Sequence, residues 1–122
     1  MNKIAKAFAN NKKVLIPSIT AGDPDLSATK ELNLAMEEAG ADIIELGIPF
    51  SDPVAEVEEM QRSAARALAA GTTTDKIFTM LKELRQETQI PVVLVTYANP
   101  IYTYGCKKFF EQCEACGVSG IL

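Results

Sequence analysis

Two kinds of segment alternate along this chain. In one kind the apolar residues are continuous, and in the other they recur at helical spacing among polar residues. Short continuous apolar runs, which are typical of buried parallel strands, lie at residues 14–19, 41–47, 90–96 and 117–122. Segments with helical spacing of apolar residues lie at residues 26–39, 56–70, 74–88 and from 104 or 105 to 116. This alternation predicts βαβ units with right-handed crossovers, and therefore an α/β fold with a parallel sheet.

Residues at the ends of these segments support the predicted boundaries. Gly40 follows the helix over residues 26–39 and is its predicted stop. Three consecutive threonines, Thr72, Thr73 and Thr74, are candidates for the cap of the helix over residues 74–88. A further short amphipathic helix is predicted over residues 1–11, with lysines around Ile4 and Phe8.

Composition narrows the class of protein. A chain of 122 residues, 48% apolar and 23% charged, has the composition of one globular domain. The net charge of −4, with no long basic run, argues against nucleic acid and anionic membranes as partners. No apolar stretch has the length of a membrane span, and the N-terminus lacks a signal-peptide core. We therefore expect a cytoplasmic protein.

The chain has no histidine, which limits its chemistry. A Ser-His-Asp triad and histidine metal ligation are excluded, so acid–base catalysis would fall to carboxylates or tyrosines. Cys113 and Cys116 have C-x-x-C spacing, but they lie with Phe109 and Phe110 on one face of a predicted helix. We interpret them as reduced packing residues, and we predict neither a metal site nor a cofactor.

One carboxylate stands out from the periodic pattern. Glu45 lies in the last part of the second predicted strand, directly before the loop-forming residues Gly47, Pro49 and Pro53. Active sites of βα folds lie in the loops at the carboxyl ends of strands. Glu45 is therefore a candidate active-site group, and the alternative is a solvated carboxylate at a strand end.

Five segments in this order resemble one known family. They are IPSITAGDP at 16–24, EAGAD at 38–42, ELGIPFSDPVA at 45–55, RALAAG at 66–71 and TYANP at 96–100. Together they closely resemble the tryptophan synthase alpha chain, a TIM barrel of eight βα units. The resemblance implies that residues 1–122 form a single half-barrel domain, with the order β1α1β2α2β3α3β4.

The resemblance also implies an activity and its residues. The family is a lyase that cleaves indole-3-glycerol phosphate to indole and glyceraldehyde 3-phosphate by a retro-aldol reaction. By resemblance Glu45 is the catalytic proton-shuttling carboxylate, and Glu56 occupies the position of the second catalytic carboxylate, an Asp near the indole N–H. Thr20 and Tyr97 match residues that line the substrate pocket.

The resemblance implies one protein partner. In the family, indole passes to the pyridoxal-phosphate-dependent tryptophan synthase beta chain. Pro49 and Asp52 match a loop that touches the beta chain, so both are predicted interface residues.

The loop after the second strand departs from the family pattern. The family has Asp-Gly-Pro after Ala55, whereas this chain has Glu56, Val57 and Glu58. Acidic residues in a first helical turn and a strong helix-forming composition predict one helix over residues 56–70, beginning near residues 53–56. Its predicted apolar stripe is Val57, Met60, Ala64, Ala67 and Leu68.

A half-barrel leaves one sheet face without cover. Parallel strands expect cover on both faces, and both edges of this sheet would be unpaired. The residues predicted to line the open face are Leu15 or Ile16, Ile43 or Ile44, and Val93 or Leu94. We therefore expect the chain to form a homo-oligomer through this face.

Two hypotheses of function follow. In the first, the chain is the front half of a tryptophan synthase alpha chain and its activity is that lyase. In the second, it is a truncated or engineered half-barrel scaffold that self-associates without catalysis. The phosphate-binding loops that TIM barrels place after strands seven and eight are absent from these 122 residues, so we expect the chain itself to be inactive.

Overall fold

A four-stranded parallel sheet, one face of which is covered by a layer of helices, forms the centre of the described part of the molecule. The computed structural model describes residues 2–10 and 13–122. The helices are α1 (Lys3–Asn10), α2 (Leu26–Glu38), α3 (Glu58–Ala69), α4 (Thr74–Leu84), α5 (Ala98–Tyr104) and α6 (Cys106–Ala115). The strands are β1 (Ser18–Thr20), β2 (Ile44–Gly47), β3 (Val92–Val95) and β4 (Gly120–Ile121), in the spatial order β1-β2-β3-β4. The predicted α/β fold with a parallel sheet is confirmed.

Strand register sorts the side chains onto two faces. Ile19 pairs with Leu46, Leu46 with Leu94, and Leu94 with Ile121. Leu46 and Leu94 are fully buried beneath the helices, as are Ile44 and Val92. Because successive side chains point to opposite faces, these strands are apolar on the helix side.

The open face has a different composition from the predicted one. It carries Ser18, Thr20, Glu45, Gly47 and Val93, which alternate with the helix-side residues. Ile44 and Leu94, two of the alternatives offered for this face, lie on the helix side, so they do not line it. Of the predicted alternatives, strand register therefore selects Val93 over Leu94 and excludes Ile44, and the open face also carries the polar side chains of Ser18, Thr20 and Glu45 that the prediction did not include.

Helix α1 covers part of the open side. A Cβ added at Gly120 would lie 3.4 Å from Ile4 Cδ1 and 3.7 Å from Val93 Cγ2. Lys3 Nζ donates to Gln89 Oε1 at 3.1 Å, which fixes α1 near the amino end of β3. The predicted amphipathic helix is confirmed from Lys3 to Asn10, while residues 1 and 11 of that prediction lie outside the described part of the chain.

The helix layer is built around a cluster of aromatic rings. The Phe78 and Phe109 ring centroids are 5.4 Å apart, and those of Tyr104 and Phe109 are 6.1 Å apart. Cys113 and Cys116 are free and buried, and burial raises the pKa of the Cys113 thiol to about 11. Their interpretation as packing residues is confirmed.

Two local predictions need correction, and one helix was not predicted. Phe110 was placed on the packing face, but it is 52% exposed, because it lies next to Phe109 and so points about 100° away around the helix. The helix predicted from residue 104 or 105 to 116 is confirmed as α6, but α5, which precedes it and is separated from it by Gly105 at φ +100°, was not predicted. Residues 85–87 form a turn after α4, so that helix ends earlier than predicted.

Helix α3 begins later than the sequence indicated. It starts at Glu58, and its cap residue Val57 makes no side-chain capping bond. Val57, predicted to be on the apolar stripe, is 64% exposed, whereas Ala64 and Ala67 of that stripe are buried. The predicted start near residues 53–56 was wrong because those residues form a hydrogen-bonded turn.

Thr73 and Gly40 perform the predicted terminal roles. Thr73 caps α4 by accepting from the Lys76 N–H at 3.2 Å. Gly40 follows α2 at φ +106°, a conformation that side chains rarely adopt. In the described part of the chain, no helix is long and apolar enough to cross a membrane.

Arg85 joins the end of α4 to the turn before β4. Its guanidinium donates to the carbonyl oxygens of Ile90 at 2.7 Å, Cys116 at 3.0 Å and Gly117 at 3.0 Å. The five donors of a guanidinium allow this triple contact, which a lysine could not reproduce. This side chain therefore ties the connections before β3 and β4 together.

We expect Phe109→Ala to lower the free energy of unfolding by about 3–5 kcal/mol, because Phe109 is fully buried between two rings. The matched control is Phe110→Ala at the neighbouring exposed position, which should cost less than about 1 kcal/mol. Urea unfolding followed by circular dichroism measures both. Equal losses for the two variants would contradict the assigned helix face.

Candidate active site

The carboxyl ends of β1, β2 and β3 surround a cavity of about 250 Å³. Ser18 and Thr20 line it from β1, and residues 95–97 line it from the end of β3. The long segment after β2 supplies a third wall, and Met60 and Ala64 of α3 supply a fourth. The cavity therefore lies where parallel βα folds place their active sites.

Glu56 lines this cavity from a tight turn. Its N–H donates to the Pro53 carbonyl at 3.1 Å, and its own carbonyl accepts from Gln61 Nε2 at 2.9 Å. The side chain is half-buried. Backbone bonds on both sides of Glu56 therefore fix the place from which its carboxylate reaches the cavity.

Tyr97 holds the same turn from the end of β3. Its hydroxyl oxygen accepts from the Ala55 N–H at 3.0 Å, and its ring lies 5.3 Å from the Phe50 ring, centroid to centroid. Thr20 and Tyr97, the two predicted pocket residues, both line the cavity. Tyr97 also has a second role as a support for the turn that carries Glu56.

Glu45 lies on the open face of the sheet but not in the cavity wall. It pairs with Ser18 on β1 and Val93 on β3, and it is half-buried. Ser18 and Gly47, its neighbours across and along the sheet, do line the cavity. The structure thus places Glu45 beside the cavity and Glu56 in its wall.

The two predicted interface residues differ in exposure. Asp52 is exposed, and Ser51 Oγ donates to its Oδ2 at 3.2 Å. Pro49 is buried and lines the cavity, so its ring presents little surface to a partner. Val54, which sequence analysis did not assign to this surface, is 87% exposed on the same segment.

Three residues that were not predicted to belong to a site line the cavity: Phe50, Met60 and Ala64. Phe50 belongs to the segment that carries the family resemblance, so its position after β2 was an available signal. Met60 and Ala64 were identified only as apolar helix residues, and periodicity cannot distinguish a cavity wall from a packing face.

The described residues offer no obvious metal site. Among residues 2–10 and 13–122, no three or more Cys, Asp or Glu side chains are grouped as a metal ion would need. The polar side chains of the cavity wall are hydroxyls and one carboxylate, Glu56. Such an arrangement can bind a small, partly apolar molecule and exchange protons with it.

Comparison with known proteins establishes the family. The family model described as the tryptophan synthase alpha chain matches residues 4–122. The chain belongs to the tryptophan synthase alpha chain family. Curated alpha chains from Geotalea uraniireducens and Geotalea daltonii are 50% and 51% identical over 100% and 99% of this chain, which covers 47% and 46% of those proteins.

Solved structures of the family agree with the fold. The alpha subunit from Legionella pneumophila matches with a TM-score of 0.94 and 43% identity, covering 99% of this chain and 48% of that chain. A chain of the tryptophan synthase complex from Pyrococcus furiosus matches with a TM-score of 0.83 and 47% identity, covering 88% and 45%. The chain therefore spans about half the length of the relatives it matches and has the first half of their barrel.

We expect Tyr97→Phe to loosen the turn that carries Glu56, because the variant keeps the ring but loses the acceptor for the Ala55 N–H. Loss of one such bond should cost about 1 kcal/mol and raise the exchange rate of the Ala55 amide about fivefold. Hydrogen exchange followed by NMR measures this rate.

The matched control is Tyr102→Phe, which removes a hydroxyl from a side chain that is 82% exposed. Exchange at Ala55 should not change in the control. An Ala55 amide that exchanges equally fast in the Tyr97 variant and the wild type would contradict the supporting role of the hydroxyl.

Proposed function

We propose that this chain supplies the half of a tryptophan synthase alpha active site that carries the two carboxylates. The observation that supports this most directly is the position of Glu56 in a cavity wall at the carboxyl end of the sheet, with Glu45 beside it. The substrate would be indole-3-glycerol phosphate, as the family resemblance implies. No cofactor is needed for this cleavage.

The proposed chemistry is a retro-aldol cleavage. Glu45 protonates the indole ring carbon that bears the glycerol chain and accepts the hydroxyl proton of that chain, while Glu56 stabilises the positive indole nitrogen. The carbon–carbon bond then breaks to give indole and an aldehyde. Phe50, Met60 and Tyr97 give the cavity apolar surface for a planar ring, and Thr20 and Ser18 give it hydroxyls.

We further propose that the 122-residue chain does not turn over by itself. In TIM barrels the loops after strands seven and eight frequently bind phosphate, and the described part of this chain has four strands. Without phosphate contacts, the substrate loses much of the binding energy that would orient its reacting carbon. The added methylene of Glu56, relative to the family Asp, further displaces the second carboxylate.

One relative of this chain points to a protein partner. A related alpha subunit from Pyrococcus furiosus belongs to a structure described as an a2b2 complex. We propose that this chain likewise faces a tryptophan synthase beta chain through the segment after β2. Exposed Asp52 and Val54 support this more than buried Pro49 does.

Self-association is the second proposal, and the unpaired sheet edges favour it. In the described part of the chain, β1 and β4 each pair with one strand. Leu15 is 55% exposed beside β1, and Leu122 is 72% exposed after β4. Edges of this kind can pair with a second copy, as a non-catalytic half-barrel scaffold would.

We expect no indole release from indole-3-glycerol phosphate by the chain alone, with or without a beta chain. Adding a polypeptide that corresponds to the second half of the Geotalea uraniireducens alpha chain should restore activity by supplying the missing strands. In that mixture Glu45→Gln should lower the rate about a hundredfold or more, the usual contribution of a general acid–base group. Indole fluorescence gives the rate.

The matched control is Glu59→Gln, a change of the same kind at an exposed position three residues from Glu56. It should leave the rate of the mixture unchanged. If the chain alone released indole and Glu45→Gln abolished this release, the proposed inactivity would be contradicted. If Glu45→Gln left the rate of the mixture unchanged, the catalytic role of Glu45 would be contradicted.

We expect the chain to sediment as a dimer or larger assembly at micromolar concentration. The interface should bury more than about 1,000 Å², as specific interfaces do. Leu122→Asp, beside the unpaired edge of β4, should weaken the assembly and leave a folded monomer because the Leu122 side chain is exposed. A wild-type chain that remains a compact monomer across the concentration range would contradict self-association.

A further inference from the structure

Helix α3, which forms one wall of the cavity, has little apolar surface to hold it in place. Its fully buried side chains are those of Ala64 and Ala67, among the smallest available. Its first residue, Glu58, follows a cap residue that makes no side-chain bond. Because hydrophobic stabilisation scales with buried area, packing alone fixes this helix weakly.

The carboxylate of Asp23, in the loop after β1, holds α3 by hydrogen bonds. Asp23 accepts from Arg66 Nε and Nη2, both at 2.8 Å, and from Ser63 Oγ at 2.6 Å. The two guanidinium bonds form a planar fork, the strongest geometry for a surface ion pair. The bond from Arg66 is the largest cause of the lowered pKa of the Asp23 carboxyl, so the carboxylate remains ionised near neutral pH.

The loop that carries Asp23 is itself fixed. The Gly22 N–H donates to Thr29 Oγ1 at 2.9 Å, and the Asp23 N–H donates to the Thr20 carbonyl at 3.4 Å. A Cβ added at Gly22 would lie 1.9 Å from Thr72 Oγ1, so this loop packs closely against the end of the α3–α4 connection. Asp23 is therefore a rigid anchor for α3.

The anchor connects two walls of the same cavity. Thr20, three residues before Asp23, lines the cavity from β1, and Ala64, next to Ser63, lines it from α3. The Gln61 side chain of α3 in turn binds the Glu56 carbonyl. Movement of α3 away from β1 would thus shift both the cavity wall and the turn that holds Glu56.

We propose that Asp23, with Arg66 and Ser63, is a positioning latch that fixes α3 and thereby sets the place of Glu56 in the cavity. Its importance for catalysis rests on the function proposed above, whereas its mechanical role does not. Asp23 acts through α3 and the Glu56 turn and has no assigned contact with substrate.

The test is hydrogen exchange of the 122-residue chain, measured residue by residue by NMR in three variants. Asp23→Asn removes the charge from the anchor. Arg66→Lys keeps the positive charge but cannot form the fork. The control is Lys30→Gln, which removes a partly exposed ion pair between Lys30 and Glu87, away from the cavity.

Both latch variants should raise amide exchange at residues 56–61 about five- to thirtyfold, the effect of losing one or two kcal/mol. Exchange in β2 and β3 should stay near the wild-type rate, and Lys30→Gln should not affect residues 56–61. The Met60 methyl and Glu56 side-chain resonances should also shift in the latch variants, which simple destabilisation would not cause.

Unchanged exchange at residues 56–61, or an equal rise across the whole chain, would overturn the proposal. An Arg66→Lys variant indistinguishable from the wild type would also overturn it, since charge without the fork would then suffice. The Arg66 side chain is 58% exposed, so this variant keeps the test decisive even if Asp23→Asn does not fold. No substrate is used, so the outcome is independent of whether the chain contributes to a lyase.

Discussion

Most parallel sheets are covered on both faces, whereas in this chain a helix layer covers one face and the other is largely uncovered. The helix side buries the apolar strand residues Ile44, Leu46, Val92 and Leu94. Helices α2, α4 and α6 supply the matching surface, with Phe78 and Phe109 at its centre. This layer provides the hydrophobic core, so the side chains on the opposite face of the sheet are not needed for packing against helices.

The opposite face carries most of the polar strand side chains, because it does not pack against the helix layer. Ser18, Thr20 and Glu45 would be costly beneath a helix layer, where each polar group would need a buried partner. On the open side their polar groups remain available, and the loops at the carboxyl end close a cavity over them. Tyr97 and Asp23 then fix the two ends of the segment that carries Glu56, one from β3 and one from β1. Site and scaffold thus share the same strands but use different faces.

Much of this could be predicted from the sequence, and the failures have a common cause. Periodicity identified four strands and most helices, and five motifs identified the family. Periodicity could not say which of two neighbouring apolar residues faces the helices, because that depends on register between strands. Local helix propensity also favoured a helix from Glu56. It does not reflect the long-range hydrogen bond in which the Tyr97 hydroxyl, 42 residues away, accepts from the Ala55 N–H. The paired hydrogen bonds between Asp23 and Arg66 could not be predicted from local sequence either, because the two residues are 43 positions apart.

One face of the sheet is closed by a layer of helices, and the other is covered only in part, by α1. Solvent paramagnetic relaxation of the valine and leucine methyl groups tests this difference most directly, with a soluble gadolinium chelate added to dilute wild-type chain. Val93 and Val95, half-buried on the open side, should relax more strongly than Val92 and Leu94, which alternate with them along β3 and are fully buried. Equal protection of all four side chains in the monomer would mean that the sheet covers both of its faces, and the open face could then not hold the proposed site.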